Sequence, residues 1–268
     1  MDLIQPLFVN QKGKTETAGL GADNSSWSES LIEDRIQKDI DKGVDSFLLF
    51  ITPEHKSWTP DWSFNQKIVD KIKTKFPNIQ LIVDVCLCAS LPDGHCRVID
   101  KPDTSEALLI DLGKKLKSAG ADILAPSDMG ERTVQNLKSE THSEVMAYVK
   151  YRSVFYSSFR DLADSTPTTS RTYQLPVDNN DWGMIATANQ YKKQKADYLL
   201  LKPGQHSLHN LSMINAGSYI PIGVYQVGDE YKGLPTLQHQ IEISKVYKSA
   251  GAKFLVTYGA RDLIGQLD

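Results

Sequence analysis

The sequence predicts an α/β fold, a (β/α)8 TIM barrel formed by one domain over residues 1–268. Three observations lead there. Seven short, nearly all-apolar runs recur along the chain, with an eighth near its start, as expected of parallel strands buried on both faces. Amphipathic stretches alternate with them, and two end in the same Ser-Ala-Gly-Ala, a glycine helix stop that feeds the next strand. No Gly-x-Gly-x-x-Gly follows a strand, which disfavours a dinucleotide-binding sheet.

The expected strands run over residues 3–9, 46–52, 79–86, 121–126, 144–149, 196–202, 220–227 and 252–258. The stretch ESLIEDRIQKDIDKG places Leu31, Ile32, Ile36 and Ile40 on one helical face and stops at Gly43. EALLIDLGKKLKSAGAD and LQHQIEISKVYKSAGAK supply two further helices. No linker, low-complexity tract or composition shift divides the chain, so one domain is the simplest organisation.

Composition narrows the function. The chain is 40% hydrophobic and 24% charged, with a net charge of -3. That balance offers no electrostatic case for nucleic acid or an anionic membrane. No apolar run approaches the ~18 residues of a membrane span, and MDLIQPLFVNQKGK lacks the parts of a signal peptide. Three cysteines, an odd number, argue against a secreted disulfide scaffold. The expectation is a soluble cytoplasmic protein.

Barrel chemistry sits at the C-terminal ends of the strands. That rule selects Asp84, Cys86, Ser127, Asp128, Lys150, Lys202, Gln226 and Tyr258. All three cysteines, Cys86, Cys88 and Cys96, fall in DVCLCASLPDGHC. Three thiolates around Zn2+ would leave a fourth position for water or substrate, or for His95. The alternatives are one opportunistic disulfide, or three reduced thiols packed as small hydrophobes. Lys150 and Lys202 each end an apolar strand. Two amines brought together at a barrel mouth lose water and repel one another, which frees one to attack a carbonyl. Pairing of each with a carboxylate is the plainer alternative.

These residues resemble those of the 5-aminolevulinate dehydratase (porphobilinogen synthase) family, of zinc type. The family signature D-x-C-x-C, then a gap to G-H-C, matches Asp84, Cys86, Cys88 and Gly94-His95-Cys96. GADILAPSDM, FYSSFRD, TYQLP, ADYLLLKP, PIGVYQVGDEY and AGAKFLVTYGARDL follow in family order, so the resemblance spans nearly the whole chain. It implies condensation of two 5-aminolevulinate molecules to a pyrrole. Lys202 would form the Schiff base with the first molecule, and Tyr258 would bind that molecule's carboxylate. Lys150 would form the second Schiff base or tune Lys202. Zinc on Cys86, Cys88 and Cys96 would polarise the second molecule's carbonyl, with Arg160 and Gln174 on its carboxylate. Asp84 and Asp128 would line the pocket, handling protons or orienting an amine. Ser127, beside Asp128 at its strand end, is grouped with them as substrate-binding.

The chain also departs from the pattern. Gly228 stands where the family has a carboxylate-binding serine. Lys150 is one residue closer to the preceding tyrosine than the family's spacing, and a one-residue slip turns a side chain to the other face. Position 170 is Ser where a basic flap residue is usual, with Arg171 next to it; Arg132 is also shifted. The family's N-terminal arm has no counterpart before MDLIQPLFV, which implies a homodimer or monomer rather than an octamer. Three functions follow from this mixture: the family's condensation, the same zinc and lysine chemistry on another aminoketone, or a non-catalytic relative that binds a metabolite or metal.

Overall fold

The computed structural model describes residues 1–13, 17–178 and 180–267. Among the described residues nine strands form: β1 (Asp2–Asn10), β2 (Ser26–Ser28), β3 (Ser46–Thr52), β4 (Gln80–Val85), β5 (Ile123–Pro126), β6 (Glu144–Lys150), β7 (Tyr198–Lys202), β8 (Ile222–Tyr225) and β9 (Phe254–Val256). All pair in parallel. β1, β3 and then β4 to β9 run in sequence around a closed barrel, sealed where Asp2–Ile4 of β1 meet Phe254–Val256 of β9. The eight expected strands are the barrel staves. β2, which carries no apolar run, was not expected. It pairs with Phe8–Asn10 of β1, above the level at which short β9 ends.

Alternation along each strand divides the core in two. Ile4, Phe8, Leu48, Phe50, Ile82, Ile123, Ala125, Met146, Tyr148, Leu200, Phe254 and Val256 form one cluster, the filling of the barrel. Leu7, Val9, Phe47, Leu49, Leu81, Val83, Val145, Ala147, Leu199 and Leu201 form the other, beneath the surrounding helices. Both faces are therefore apolar, which explains strands without polar alternation. Ile32 and Ile36 of the first helix are fully covered, but Leu31 precedes that helix and is 41% exposed. The helices Pro102–Ser118 and Leu237–Ser249 do end in the two Ser-Ala-Gly-Ala repeats. Gly120 and Gly251 there take φ of 104° and 108°, a conformation side chains resist.

Gly223 of β8 makes room for the barrel filling. A Cβ at that position would stand 2.2 Å from the Phe254 ring. Gly223→Ala should therefore destabilise the fold by about 1–3 kcal/mol, the usual cost of overpacking. Chemical denaturation measures it, and an unchanged midpoint would contradict this packing.

Candidate active site

Period-two alternation carries the inward direction up to the barrel rim. Met146, Tyr148 and Lys150 share one face of β6, and Leu200 and Lys202 share one face of β7. Lys150 pairs directly with Lys202 across the two strands. The shortened spacing therefore does not turn Lys150 away. It is 3% exposed, and its Nζ lies 3.8 Å from Cys96 Sγ.

The Lys202 amine is enclosed by rings. Its Nζ lies 5.3 Å from the Tyr148 ring, 4.8 Å from Tyr156, 4.7 Å from Phe159 and 4.8 Å from Tyr225. Burial pushes its pKa down to about 7, and the charge on Lys150 adds to the shift. Asp84, near the end of β4, moves the opposite way. Burial raises it to about 7, against a Ser127 hydroxyl bond and the two lysines. An amine and a carboxyl in one enclosed space thus both change charge near neutrality, the pairing expected of proton-handling sites.

The three sulfurs lie within 4.8 Å of one another, all buried and none in a disulfide. Tetrahedral zinc at about 2.3 Å from each thiolate needs sulfurs about 3.8 Å apart, so the cluster matches that donor set. Cys96 holds its thiol well below the ordinary range, because Cys86 and Cys88 donate S–H bonds to it and Lys150 stands beside it. Burial pushes Cys86 up. Three buried thiols gathered this closely form a cluster a cation would complete by displacing their protons. His95 is committed elsewhere: its ring nitrogens face the Tyr173 hydroxyl at 3.3 Å and Thr169 Oγ1 at 2.9 Å. Three protein ligands with an open fourth position is the catalytic pattern.

A flap after β6 closes over this loop. Thr168 N donates to Asp93 O at 2.9 Å, and the Tyr173 hydroxyl accepts from Cys96 N at 2.8 Å. Arg171 is buried and donates to the carbonyls of Gly94 and Ser165 at 2.6 and 2.7 Å. Gly94 permits the approach, since a Cβ there would lie 2.4 Å from Thr166 O. The flap's buried cation is thus Arg171, while Ser170 stays outside and meets Arg152 at 3.3 Å. The sequence marked Arg171 only as a neighbour of Ser170 and did not distinguish Tyr173, since the contacts that tie them to the cysteine loop span 77 positions.

The remaining expected residues divide. Gln174 is 1% exposed, and neither atom of its amide has a partner. An unsatisfied buried amide costs about 1–3 kcal/mol. Arg160 is half-buried beside Tyr156, donating to Ser153 O at 3.2 Å. Tyr258 is buried and accepts a 3.2 Å hydrogen bond from the Tyr225 hydroxyl. Asp128 is taken up by Thr133 Oγ1 at 2.9 Å and Arg97 at 3.6 Å. Gln226 accepts from Thr257 Oγ1 at 2.5 Å in the packed interior. At Gly228 a Cβ would lie 2.7 Å from Ser158 Cβ, so the space of a side chain there is filled from the neighbouring helix.

Known proteins share the chain's sequence pattern and fold over nearly its whole length. The model of the delta-aminolevulinic acid dehydratase family matches residues 1–266. The delta-aminolevulinic acid dehydratase of Helicobacter pylori is 28% identical over 296 residues, covering 99% of this chain and 91% of that protein. That of Bacillus subtilis is 29% identical over 290 residues, covering 97% and 89%. A crystal structure of the Toxoplasma gondii ME49 enzyme, porphobilinogen synthase bound to its product porphobilinogen, superposes with a TM-score of 0.90. It is 28% identical, covering 99% of this chain and 84% of that one. With the whole barrel matched, the chain belongs to the delta-aminolevulinic acid dehydratase family and is by that membership a lyase.

Proposed function

We propose that this protein condenses two molecules of 5-aminolevulinate to porphobilinogen, with Lys202 as the amine that captures the first. The observation that carries the reading is the paired lysines: Lys202, its amine held near 7, lies in register with Lys150, which touches the cysteine cluster. A neutral amine attacks the substrate ketone. Carbon–nitrogen bond formation and loss of water then give the imine. Asp84, titrating in the same range, is suited to give the departing hydroxide its proton and to take one back later. Lys150 lowers the Lys202 pKa and stands where a second substrate molecule would meet it. Arg160 and the unpaired Gln174 amide suit that molecule's carboxylate, Arg160 through a charge-assisted fork. Cys86, Cys88 and Cys96 would hold zinc, which when bound supplies Lewis acidity toward the second molecule.

The test is incubation of the reduced, zinc-supplied protein with 5-aminolevulinate, reading pyrrole formation and, after borohydride, the mass of the Lys202 peptide. One observation favours a second reading, in which the same chemistry acts on another aminoketone. The hydroxyl that the resemblance assigns to position 228 is absent, and Ser158 fills its place. A trapped Lys202 adduct without pyrrole would select that reading.

The pH dependence follows from the charges. Trapping on Lys202 should rise with pH as the amine loses its proton, with a midpoint at about 7. Lys150→Met removes the neighbouring positive charge, so its midpoint should move to higher pH. An unmoved midpoint would show that Lys150 does not tune Lys202.

A further inference from the structure

Two adjacent acids follow β8, and their side chains diverge. Glu230 is 2% exposed. Its carboxylate accepts backbone N–H bonds from Gly204 at 3.0 Å, Gln205 at 2.6 Å and Val227 at 2.8 Å. Gly204 and Gln205 lie just beyond Lys202, so this carboxylate fixes the turn by which β7 leaves the barrel. The turn has little slack, since a Cβ at Gly204 would lie 2.8 Å from the Tyr247 hydroxyl. On the other side Lys202 O is already held by Tyr151 N at 3.0 Å and the Tyr156 hydroxyl at 3.2 Å.

Asp229 faces the opposite loop. It accepts from Ser157 Oγ at 2.7 and 3.0 Å and from Ser158 Oγ at 2.9 Å, and pairs with Lys232 at 2.8 Å. Those two serines open the helix Ser157–Leu162. That helix carries Phe159, which covers the Lys202 amine, and Arg160.

We propose that these acids are positioning residues for separate halves of the site. Glu230 sets the Lys202 amine, and Asp229 sets the wall bearing Phe159 and Arg160. The assignment rests on the reading of Lys202 as the imine-forming amine. Neither acid touches reacting atoms. A carboxylate gathering several donors is a strong, directional anchor, and Glu230→Gln sets an NH2 against amides that need an acceptor.

The experiment uses zinc-supplied wild type, Glu230→Gln and Asp229→Asn with 5-aminolevulinate, reading kcat, KM and the rate of borohydride trapping on Lys202. Glu230→Gln should lower kcat and the trapping rate at least about tenfold, with KM within about threefold, as a misplaced reacting group does. Asp229→Asn should raise KM at least about tenfold, through the second molecule's binding wall, with trapping close to wild type. Trapping by Glu230→Gln at the wild-type rate overturns the proposal. So does an equal loss of kcat and KM in both variants, the outcome of a merely structural role. Should Glu230→Gln not fold, Glu230→Asp keeps the charge but is too short to span all three amides, and the same split decides. A wild type that forms no Lys202 adduct refutes the imine reading and the positioning role with it. Variants indistinguishable from a trapping wild type refute the positioning role alone.

Discussion

Lys202→Met should abolish porphobilinogen formation, by at least about 10³-fold, because the neighbouring amine, Lys150, lies against Cys96 rather than among the rings that enclose Lys202. It should do so without unfolding the protein. Four rings surround the amine within 5.3 Å, and each favours an ammonium by about 0.5–2 kcal/mol. Burial, with the Lys150 charge adding to it, depresses the pKa to about 7. An unfolded lysine keeps its proton to about 10.4. Between about 7 and that value the unfolded chain binds more protons, so this residue makes stability rise with pH, and its burial cost is fully present below 7. Methionine removes both the cost and the slope. The variant should melt no lower than wild type at pH 7, and should gain less on going from pH 6 to 9. Residual pyrrole formation near the wild-type level, or a lower melting temperature at pH 7, would count against this account.

The second large effect concerns the thiols. Cys96→Ala should reduce bound zinc from about one ion per chain to a small fraction, with product formation lost in parallel. Two cysteines do not make up a tetrahedral site, and His95 is held by Thr169 and Tyr173 rather than turned to the cluster. Were the cysteines only packing, the same change would cost about 1 kcal/mol of stability and no metal. Metal analysis of the purified, dialysed variant separates the two, and undiminished zinc would falsify the ligand assignment.

The barrel was legible because its staves are apolar on both faces, a pattern that needs no knowledge of partners. The site layer was legible for a related reason. Strand ends in such a fold converge, so Asp84, Cys86, Lys150 and Lys202 could be grouped by position alone. Asp128 satisfied the same rule, yet it is absorbed by Thr133 and Arg97, because strand-end carboxylates are also wanted as loop anchors. What could not be read came from the flap. Arg171 and Tyr173 lie in a segment without periodicity, and each matters through contacts to the distant cysteine loop. The doubt over Lys150 had a similar origin. Spacing to the preceding tyrosine was the wrong ruler, since inward direction counts back from the strand's own alternation, and Tyr148 itself points into the barrel.

The pairing of Lys150 with Lys202 fixes something beyond which way each side chain faces. Adjacent strands lie about 4.8 Å apart, and that separation is held by backbone hydrogen bonds rather than by either side chain. The strand positions from which the two amines extend are therefore spaced by the sheet itself. Two ketones captured there would be tethered from points a fixed distance apart, with the loops left to aim each side chain. Loops and flap can diverge and alter what is admitted. A register shift by two residues between β6 and β7 would keep both amines inward while moving one by about 7 Å along the barrel wall.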